Sequence, residues 1–237
     1  MVTIRDLTTH QDFADCIALQ EATWGEGFSE RVPAAILRVS QMIGGVSAGA
    51  FDETERMVGF VFGLTGVRTG ELVHWSDMLA VRRELRSQGI GERLKQYQRD
   101  KVVAVGVTAM LLTFDPLQAG NAHFNINHLG AMPIEYVPDM YGSNTGSALH
   151  GTLPTDRFIV RWDLASSAVR AIAGTVHVEI PADFIGVQRS DPERALAWRL
   201  EVRDAMQSRL ADEYRVVGFQ RGASGNPFYI LDRDPAR

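Results

Sequence analysis

Residues 79–91, Leu-Ala-Val-Arg-Arg-Glu-Leu-Arg-Ser-Gln-Gly-Ile-Gly, form the stretch that decides the fold. An apolar strand ends at Val81, a short charged turn follows, and a helix begins near Gly89 and Gly91. Because glycine has no Cβ, a ligand can approach the backbone of such a loop closely. The first N–H groups of a helix lack intrahelical partners and carry partial positive charge. The stretch therefore predicts a cradle for a phosphate or pyrophosphate group.

Two other phosphate-binding loops do not fit this stretch. A dinucleotide fingerprint requires a third glycine three residues after the second, and that position holds Leu94. A Walker A loop requires Gly-Lys-Ser/Thr, and here Gly91 is followed by Glu92 and Arg93. The remaining alternative is a tight turn that needs glycine only for its own backbone geometry.

The segments on both sides of this stretch predict an α/β domain. Short connections that are polar or contain glycine separate the strands before residue 79, which indicates antiparallel neighbours. Hydrophobic periodicity and the positions of glycine and proline give the remaining elements. The predicted strands are residues 2–7, 46–51, 57–64, 71–81, 110–114, 134–141 and 157–164, and the predicted helices are residues 12–24, 34–43, 92–105 and 119–129.

A second series of predicted strands and helices begins after a stretch of small residues at 165–174. A strand is predicted at residues 175–180. A helix is predicted to begin with Asp191 as its N-cap and Pro192 at its first position. Two further strands close the chain at residues 215–219 and 228–231. The sequence thus predicts a main domain at 1–164 and a C-terminal β-α-β-β extension at 165–237. Such an extension is too small for much independent stability, so we expect it to pack on the main domain or on a partner subunit.

Composition excludes several classes of protein. The chain has 237 residues, of which 45% are hydrophobic and 22% charged, which is ordinary for a globular protein. A net charge of −5 disfavours non-specific nucleic-acid binding. The single cysteine, Cys16, forms no internal disulfide and is expected to be buried. No apolar run is long enough to span a bilayer and no signal peptide is evident, so we expect a cytoplasmic protein without membrane contact.

The strand, glycine loop and helix, followed by an apolar strand and a helix with Asn121, resemble the GNAT (GCN5-related N-acetyltransferase) superfamily. Residues 79–91 match its acetyl-CoA-binding motif, and the element order of residues 2–164 matches over roughly two thirds of the chain. Residues 113–130 further resemble an uncharacterised bacterial branch. The resemblance implies an α/β (α+β) fold with a mixed, mostly antiparallel central sheet flanked by helices.

The resemblance also implies an acyl-CoA site. The pantetheine arm of CoA would pair with the backbone of the strand before the turn, and the amides of the glycine loop would hold the pyrophosphate. The Leu79 amide would stabilise the oxyanion of the thioester carbonyl. The implied cofactor-binding residues are Leu79, Ala80, Val81, Arg86, Ser87, Gln88, Gly89, Ile90, Gly91, Glu92 and Asn121.

Catalytic candidates follow from the chemistry of N-acyl transfer, which requires a base for the amine. Asp77 is the first candidate because strand alternation places it on the face of Leu79. His74 is the second and lies on the other face, unless a bulge intervenes. Many GNAT proteins have a general-acid tyrosine where this chain has Ile126. Tyr136 or Tyr141 is the candidate substitute, and the alternative is that the thiolate leaves without a dedicated acid.

Other polar residues of the chain are expected to have structural roles. Asp156 and Arg157 are predicted to form a structural ion pair, with binding of a substrate carboxylate by Arg157 or Arg161 as the alternative. Asp115 is predicted to be a turn or cap residue, and the alternative is that it faces the amine. His123 and His128 are five residues apart, which on an α-helix puts them on different faces. With no other ligand spacing, the sequence predicts no metal site.

We therefore expect an acyl-CoA-dependent N-acyltransferase acting on the amine of a small molecule or amino acid. Acetyl-CoA is the default donor, and succinyl-CoA or another short acyl-CoA is an alternative. A catalytically silent acyl-CoA-binding or regulatory module is the second hypothesis, and a binder of an unrelated phosphate ligand is the third. The C-terminal extension is a candidate surface for homodimer formation.

Overall fold

A computed structural model describes residues 2–142, 145–147, 151–165, 175–223 and 225–233. The strands are β1 (Thr3–Asp6), β2 (Val46–Phe51), β3 (Met57–Arg68), β4 (Glu71–Val81), β5 (Ala109–Phe114), β6 (Met132–Val137), β7 (Arg157–Asp163), β8 (Val176–Glu179), β9 (Tyr214–Arg221) and β10 (Pro227–Arg233). The α-helices are α1 (His10–Trp24), α2 (Ala34–Met42), α3 (Ile90–Ala104), α4 (Ala119–Ala122), α5 (Phe184–Ser190) and α6 (Pro192–Ala211). A 3₁₀ turn occupies Arg83–Leu85, and a π-helical segment occupies His123–His128.

The predicted fold class is confirmed. Strands β1 to β7 belong to one mixed seven-stranded sheet, and β8, β9 and β10 form a separate three-stranded antiparallel sheet. None of the helices among the described residues is long and apolar enough to cross a membrane. Most of the predicted boundary at residues 165–174 lies outside the described residues, as do parts of the glycine-containing loop at 142–155.

The chain divides into two compact units, and the first comprises Met1–Leu112, Thr145–Gly151 and Asp163–Ala165. Its strand order is β1-β2-β3-β4-β5, antiparallel except for the parallel pair β4 and β5. Helix α1 begins with a capping box in which Thr9 and Asp12 exchange hydrogen bonds with each other's backbone. The buried face of α1 packs with β3 and β4, and Cys16 lies in this core as predicted. Burial raises the pKa of Cys16 to about 12.

The second unit comprises Thr113–Asn144, Thr152–Trp162 and Ser166–Arg237. Within it, β6 pairs antiparallel with β7, and β10 is the central strand of the three-stranded sheet. Helix α6 begins as predicted, with Asp191 accepting a hydrogen bond from the Arg194 N–H and Pro192 in the first turn. The fully buried Tyr229 packs edge-on against Phe158, with ring centroids 5.4 Å apart.

The predicted ion pair between Asp156 and Arg157 is wrong. The Asp156 carboxylate instead accepts two hydrogen bonds from Arg203, at 2.9 and 2.5 Å, and one from the Tyr136 hydroxyl at 2.6 Å. Neighbouring residues on a strand point to opposite faces, so the Arg157 side chain is directed away from that carboxylate. The Arg157 guanidinium donates instead to the Asp156 carbonyl, 2.8 Å away.

Several elements differ from the predictions in extent or type, and one helix was not predicted. The helix predicted at 119–129 is a single α-helical turn that continues as the π segment, in which the Leu129 N–H donates to the Phe124 carbonyl at 3.0 Å. The strand predicted at 134–141 is β6, which begins at Met132 and ends at Val137. Helix α5 was not predicted from the sequence, because its seven residues are too few to show a helical period.

Candidate functional site

The candidate site begins where β4 separates from β5. Residues 73–76 of β4 pair in parallel with residues 109–112 of β5, and the pairing ends at Ser76. Beyond that point, residues 78–81 of β4 pair with β3. Among the described residues, no strand continues the ladder along the β5 side of residues 77–81. This open edge offers backbone donors and acceptors to an extended ligand, which can bind as an added strand.

A β-bulge lies at the same position. In the register of β3 and β4, Phe62 pairs with Met78 and Gly63 pairs with Ser76, so Asp77 is an extra residue. The extra residue reverses the alternation of side chains along β4, so that residues an odd number apart across the bulge lie on the same face. Ser76 contacts α3 through Gln98, and Leu79, three residues later, also faces α3, because its side chain lies 3.8 Å from a Cβ placed on Gly91.

The bulge removes Asp77 from the face of Leu79, where strand alternation had predicted it. The indole N–H of Trp75 donates to the Asp77 carboxylate at 3.3 Å, and Trp75 packs against β5 in a cluster with Val73. Desolvation by the surrounding protein raises the pKa of Asp77, although the side chain keeps solvent contact. The Trp75 hydrogen bond opposes this rise, and the negative charge of Glu30 adds to it.

The glycine loop connects the open edge of β4 to α3. Residues 86–89 are exposed, and Ser87 and Gly89 both have positive φ, at 61° and 77°. Gly89 is the N-cap of α3 in the left-handed region, with no side-chain capping bond. The first N–H groups of α3 therefore have no intrahelical partner and point out of the helix end. Helix ends of this kind, with free N–H groups and the positive end of the helix dipole, can bind anions.

The two glycines of the loop have different physical reasons to be glycine. Gly89 needs its left-handed backbone, which L side chains rarely adopt. Gly91 has no such need, and a Cβ there would make only ordinary contacts with Leu79 and Val81, at 3.8 and 3.9 Å. The tight-turn alternative therefore accounts for Gly89 and leaves Gly91 unexplained. Close approach of a ligand to the first turn of α3 does account for a glycine there.

His74, the second catalytic candidate, is fully buried between β4 and α3. The Thr65 hydroxyl donates to the Gly44 carbonyl at 2.6 Å, so it accepts from His74 Nδ1, 3.0 Å away. His74 Nε2 then accepts from the side-chain amide of Gln98 at 3.0 Å. Burial and the nearby charge of Lys95 lower the pKa of His74 to about 3. Both ring nitrogens are occupied, which leaves the imidazole neutral and without a free lone pair.

Lys95 was missed by the sequence analysis and completes this buried cluster. The residue is only 3% exposed, and its ammonium group donates to the Ser76 hydroxyl and to Gln98 Oε1, the latter at 3.4 Å. Burial lowers the pKa of Lys95 to about 7. Gly63 makes room for the cluster, because a Cβ there would lie 2.3 Å from His74 Nε2. The sequence offered one signal of its burial: this lysine directly follows Leu94, which lies on the buried face of the helix.

The remaining predicted site residues belong to the second unit. Asn121 is exposed in α4, and its carbonyl accepts from the Asn125 side chain at 2.8 Å. The Tyr141 hydroxyl lies 3.2 Å from that of Thr113, and the Arg157 guanidinium lies 5.3 Å from the Tyr141 ring centroid.

Two other side chains of this unit bear on the general acid. Tyr136 donates to Asp156, and burial raises the pKa of Tyr136, which makes it a weak acid. Ile126, at the position of the family's tyrosine, is buried in the core.

Neither a protein-family model nor a curated protein matches the chain. Solved structures do match. The NatC complex bound to Gag peptide and CoA has a chain that is 16% identical, with a TM-score of 0.55 over 68% of this chain and 98% of that chain. The ribosomal-protein-S18-alanine N-acetyltransferase from Escherichia coli is 18% identical, with a TM-score of 0.52 over 72% of this chain and 99% of its own.

An acetyltransferase of the GNAT family from Streptococcus pneumoniae is 15% identical, with a TM-score of 0.53 over 68% of this chain and 98% of its own. Each of these structures is covered almost completely, whereas more than a quarter of this chain has no counterpart in them. The chain therefore has the GNAT acetyltransferase fold.

Proposed function

We propose that this protein is an acyl-CoA-dependent N-acyltransferase that acts on the amine of a small molecule or amino acid. The observation that supports it most is the open edge of β4, which leads directly to the uncapped end of α3. The pantetheine arm would pair with Leu79, Ala80 and Val81 as an added strand. The backbone amides from Arg86 to Glu92 would hold the pyrophosphate, with Gly91 at the closest approach.

The likeness to known structures supports the same donor. One matched structure contains CoA, and the fold is that of acetyl-CoA-dependent N-acetyltransferases. At 15 to 18% identity these matches establish the fold and not the substrate. The amine acceptor is therefore proposed from the chemistry of the residues around the site. Acetyl-CoA is the default donor. Asn121 is proposed as a further CoA contact on the resemblance to the family.

The bulge supports a division of roles between the two faces of β4. In the proposed reaction the amine nitrogen attacks the thioester carbonyl carbon, the C–S bond breaks, and the thiolate takes up a proton. A backbone N–H near the bulge, for which Leu79 is our candidate, would stabilise the oxyanion. Asp77 would accept the proton of the ammonium group, since a carboxylate with a raised pKa is a better base near neutral pH.

His74 is not proposed as the base, because both of its ring nitrogens are occupied and its pKa is about 3. We assign it instead a structural role behind the bulge. Tyr141 is our candidate for the general acid, because the Tyr136 hydroxyl already donates to Asp156. Glu30 and Asp77 together would attract a cationic amine.

The test mixes the full-length protein with acetyl-CoA or succinyl-CoA and a panel of small amines and amino acids. Release of free thiol that requires both the acyl-CoA and one amine supports the proposal. CoA binding by calorimetry without thiol release on any amine supports a silent acyl-CoA-binding module instead. Absence of both binding and release contradicts the proposal.

A further inference from the structure

We infer that His123 and His128 form a two-histidine binding site for a divalent transition-metal cation such as Ni²⁺ or Zn²⁺. Their Nε2 atoms lie 3.1 Å apart, and both side chains are exposed at the surface of the second unit. The expectation that these residues lie on different faces of a helix is therefore wrong. The inference rests on this geometry and is independent of the proposed acyltransferase activity.

The π-helical segment is the reason the two rings meet. In an α-helix, residues five apart are separated by about 140° around the axis, since each residue turns about 100°. Residues 123–128 instead form i→i+5 bonds, which bring residues five apart onto the same side. The segment is held in place because the Asn127 side chain donates to the Phe219 carbonyl of β9 at 3.0 Å. The ring placement is thus built into the backbone.

The distance between the nitrogens suits one bound ion. Two nitrogens at about 2.0–2.1 Å from a metal lie about 2.9 to 3.4 Å apart when the angle at the metal is between a right angle and the tetrahedral angle. The 3.1 Å separation falls inside that window, so binding requires each ring to turn its Nε2 lone pair from the other nitrogen toward a shared ion without moving the nitrogens apart. Imidazole nitrogen is a preferred ligand of Zn²⁺, Cu²⁺ and Ni²⁺.

The site has two protein ligands and leaves the remaining positions to water. Among the described residues, no group of three or more His, Cys, Asp or Glu side chains is placed to hold a metal ion. Without metal, the two Nε2 atoms share one proton in a hydrogen bond. On binding, that proton moves to Nδ1 of the same ring, so that two neutral imidazoles each present a lone pair.

Asn127 is placed to support the ligand His123. Its side-chain amide lies 2.9 Å from His123 Nδ1. A ligating histidine usually donates its other N–H to a neighbouring acceptor, which orients the ring. When His123 binds a metal through Nε2, its Nδ1–H can donate to the amide oxygen of Asn127 after the amide rotates, and this bond then replaces the one from the Asn127 amide nitrogen to the Phe219 carbonyl. Metal binding would then fix the π segment, because only the π register keeps both rings on the ion.

The test uses full-length protein without a histidine tag, titrated with NiCl₂ or ZnCl₂ in a calorimeter. We expect one ion per chain. His123→Ala and His128→Ala should each weaken binding by about a hundredfold, because the second ligand of a rigid pair binds at high effective concentration. His10→Ala, which removes an exposed histidine elsewhere, should leave binding unchanged.

Hydrogen exchange provides the second measurement. The Leu129 N–H, which bonds to the Phe124 carbonyl in the π segment, should exchange more slowly with metal than without it. Circular dichroism establishes that the variants are folded. The inference is overturned if the wild type binds no more metal than the His123→Ala/His128→Ala double variant, or if either single variant binds like the wild type.

Discussion

Asp115 and Arg199 form a bidentate ion pair in the second unit, with N–O distances of 2.6 and 2.7 Å. Asp115 follows the end of β5, and Arg199 lies on α6 in the C-terminal part of the chain, 84 residues later. Both side chains are almost fully buried. Burial alone would raise the pKa of Asp115, but the charge and hydrogen bonds of Arg199 hold that pKa below its usual value. A buried pair of this kind ties α6 to the chain before α4.

Replacing one partner of this pair should be costly. In Arg199→Met, the Asp115 carboxylate remains buried and keeps the Leu117 N–H at 2.9 Å, but the cation left beside it is the Arg157 guanidinium, at 3.8 Å. We expect the free energy of unfolding to fall by about 3–5 kcal/mol. Urea denaturation measures it, with Arg194→Met as the control on the same helix. That arginine forms an exposed pair with Glu201, so its loss should cost less than about 1 kcal/mol. Equal effects of the two substitutions would contradict this account.

Removing residues 165–237 should prevent stable folding of the remaining chain. The deletion takes away Arg199 and Arg203, which leaves the carboxylates of Asp115 and Asp156 without these partners. It also removes Tyr229, whose hydroxyl donates to the Pro116 carbonyl at 2.6 Å. We expect lost cooperativity in thermal unfolding and a weakened near-ultraviolet circular dichroism signal. A truncated chain that unfolds at the same temperature as the full chain would show that the extension is dispensable.

Much of this fold follows from the sequence, because its signals are local. The motif at residues 79–91 predicts its strand, turn and helix, and Asp191-Pro192 predicts the start of α6. The bulge at Asp77 is a different case, since it depends on the register of β4 against Gly63 on another strand. The π segment likewise depends on an anchor to β9, which lies about 90 residues away.

The buried Lys95 could not be predicted from its own residue type, because lysine is normally exposed. Only the small Gly63 and the face switch at the bulge leave space for Lys95, Ser76 and His74 together. The strand, glycine loop and helix of the candidate site were therefore predictable. Its polar interior was not, since that interior is created by pairing between distant strands.

Lys95 should make stability rise between pH 7 and pH 9. Its pKa is about 7 in the folded protein and near 10.5 when unfolded, so the unfolded state binds more protons across this window. This gain in stability is complete only above the unfolded pKa and is lost as the pH falls toward 7. Its full size is on the order of 5 kcal/mol. Lys95→Met removes this dependence and should stabilise the protein at pH 7, because no charge is then buried.

The titration of Lys95 can be measured without overlap from many other lysines, because Lys95 and Lys101 are the only lysines in the sequence. Lys101 is half-exposed and pairs with Asp6, so Lys101→Met is the matched control. NMR of selectively labelled lysine gives two signals, whose titrations report the two pKa values directly. Should the Lys95 signal titrate near pH 10, the burial argument is wrong. Comparison of the two unfolding curves cancels the contributions of Cys16 and the tyrosines.

Gly91→Ala separates ligand binding from folding. A Cβ at this position makes only ordinary contacts, and alanine is a better helix former than glycine by up to about 1 kcal/mol. We therefore expect unchanged or slightly higher stability. CoA affinity should fall about tenfold or more, because a hydrogen bond to a charged group is weakened. Gly66→Ala, where a Cβ meets open space in β3, is the control. If calorimetry gives the same CoA affinity for both variants, the first turn of α3 does not hold the pyrophosphate.

Asp77→Asn should slow acyl transfer by about a hundredfold or more without changing CoA affinity, because the base is lost and the binding edge is kept. The pH profile gives the sharper test. A base acts only when deprotonated, so kcat/KM should fall as the pH drops through the raised pKa of Asp77.

Trp75→Phe removes the indole N–H that lowers the pKa of Asp77, so the acidic limb of kcat/KM should move to higher pH. In Asp77→Asn that limb should be absent. A limb that stays in place in both variants would assign the base to another residue.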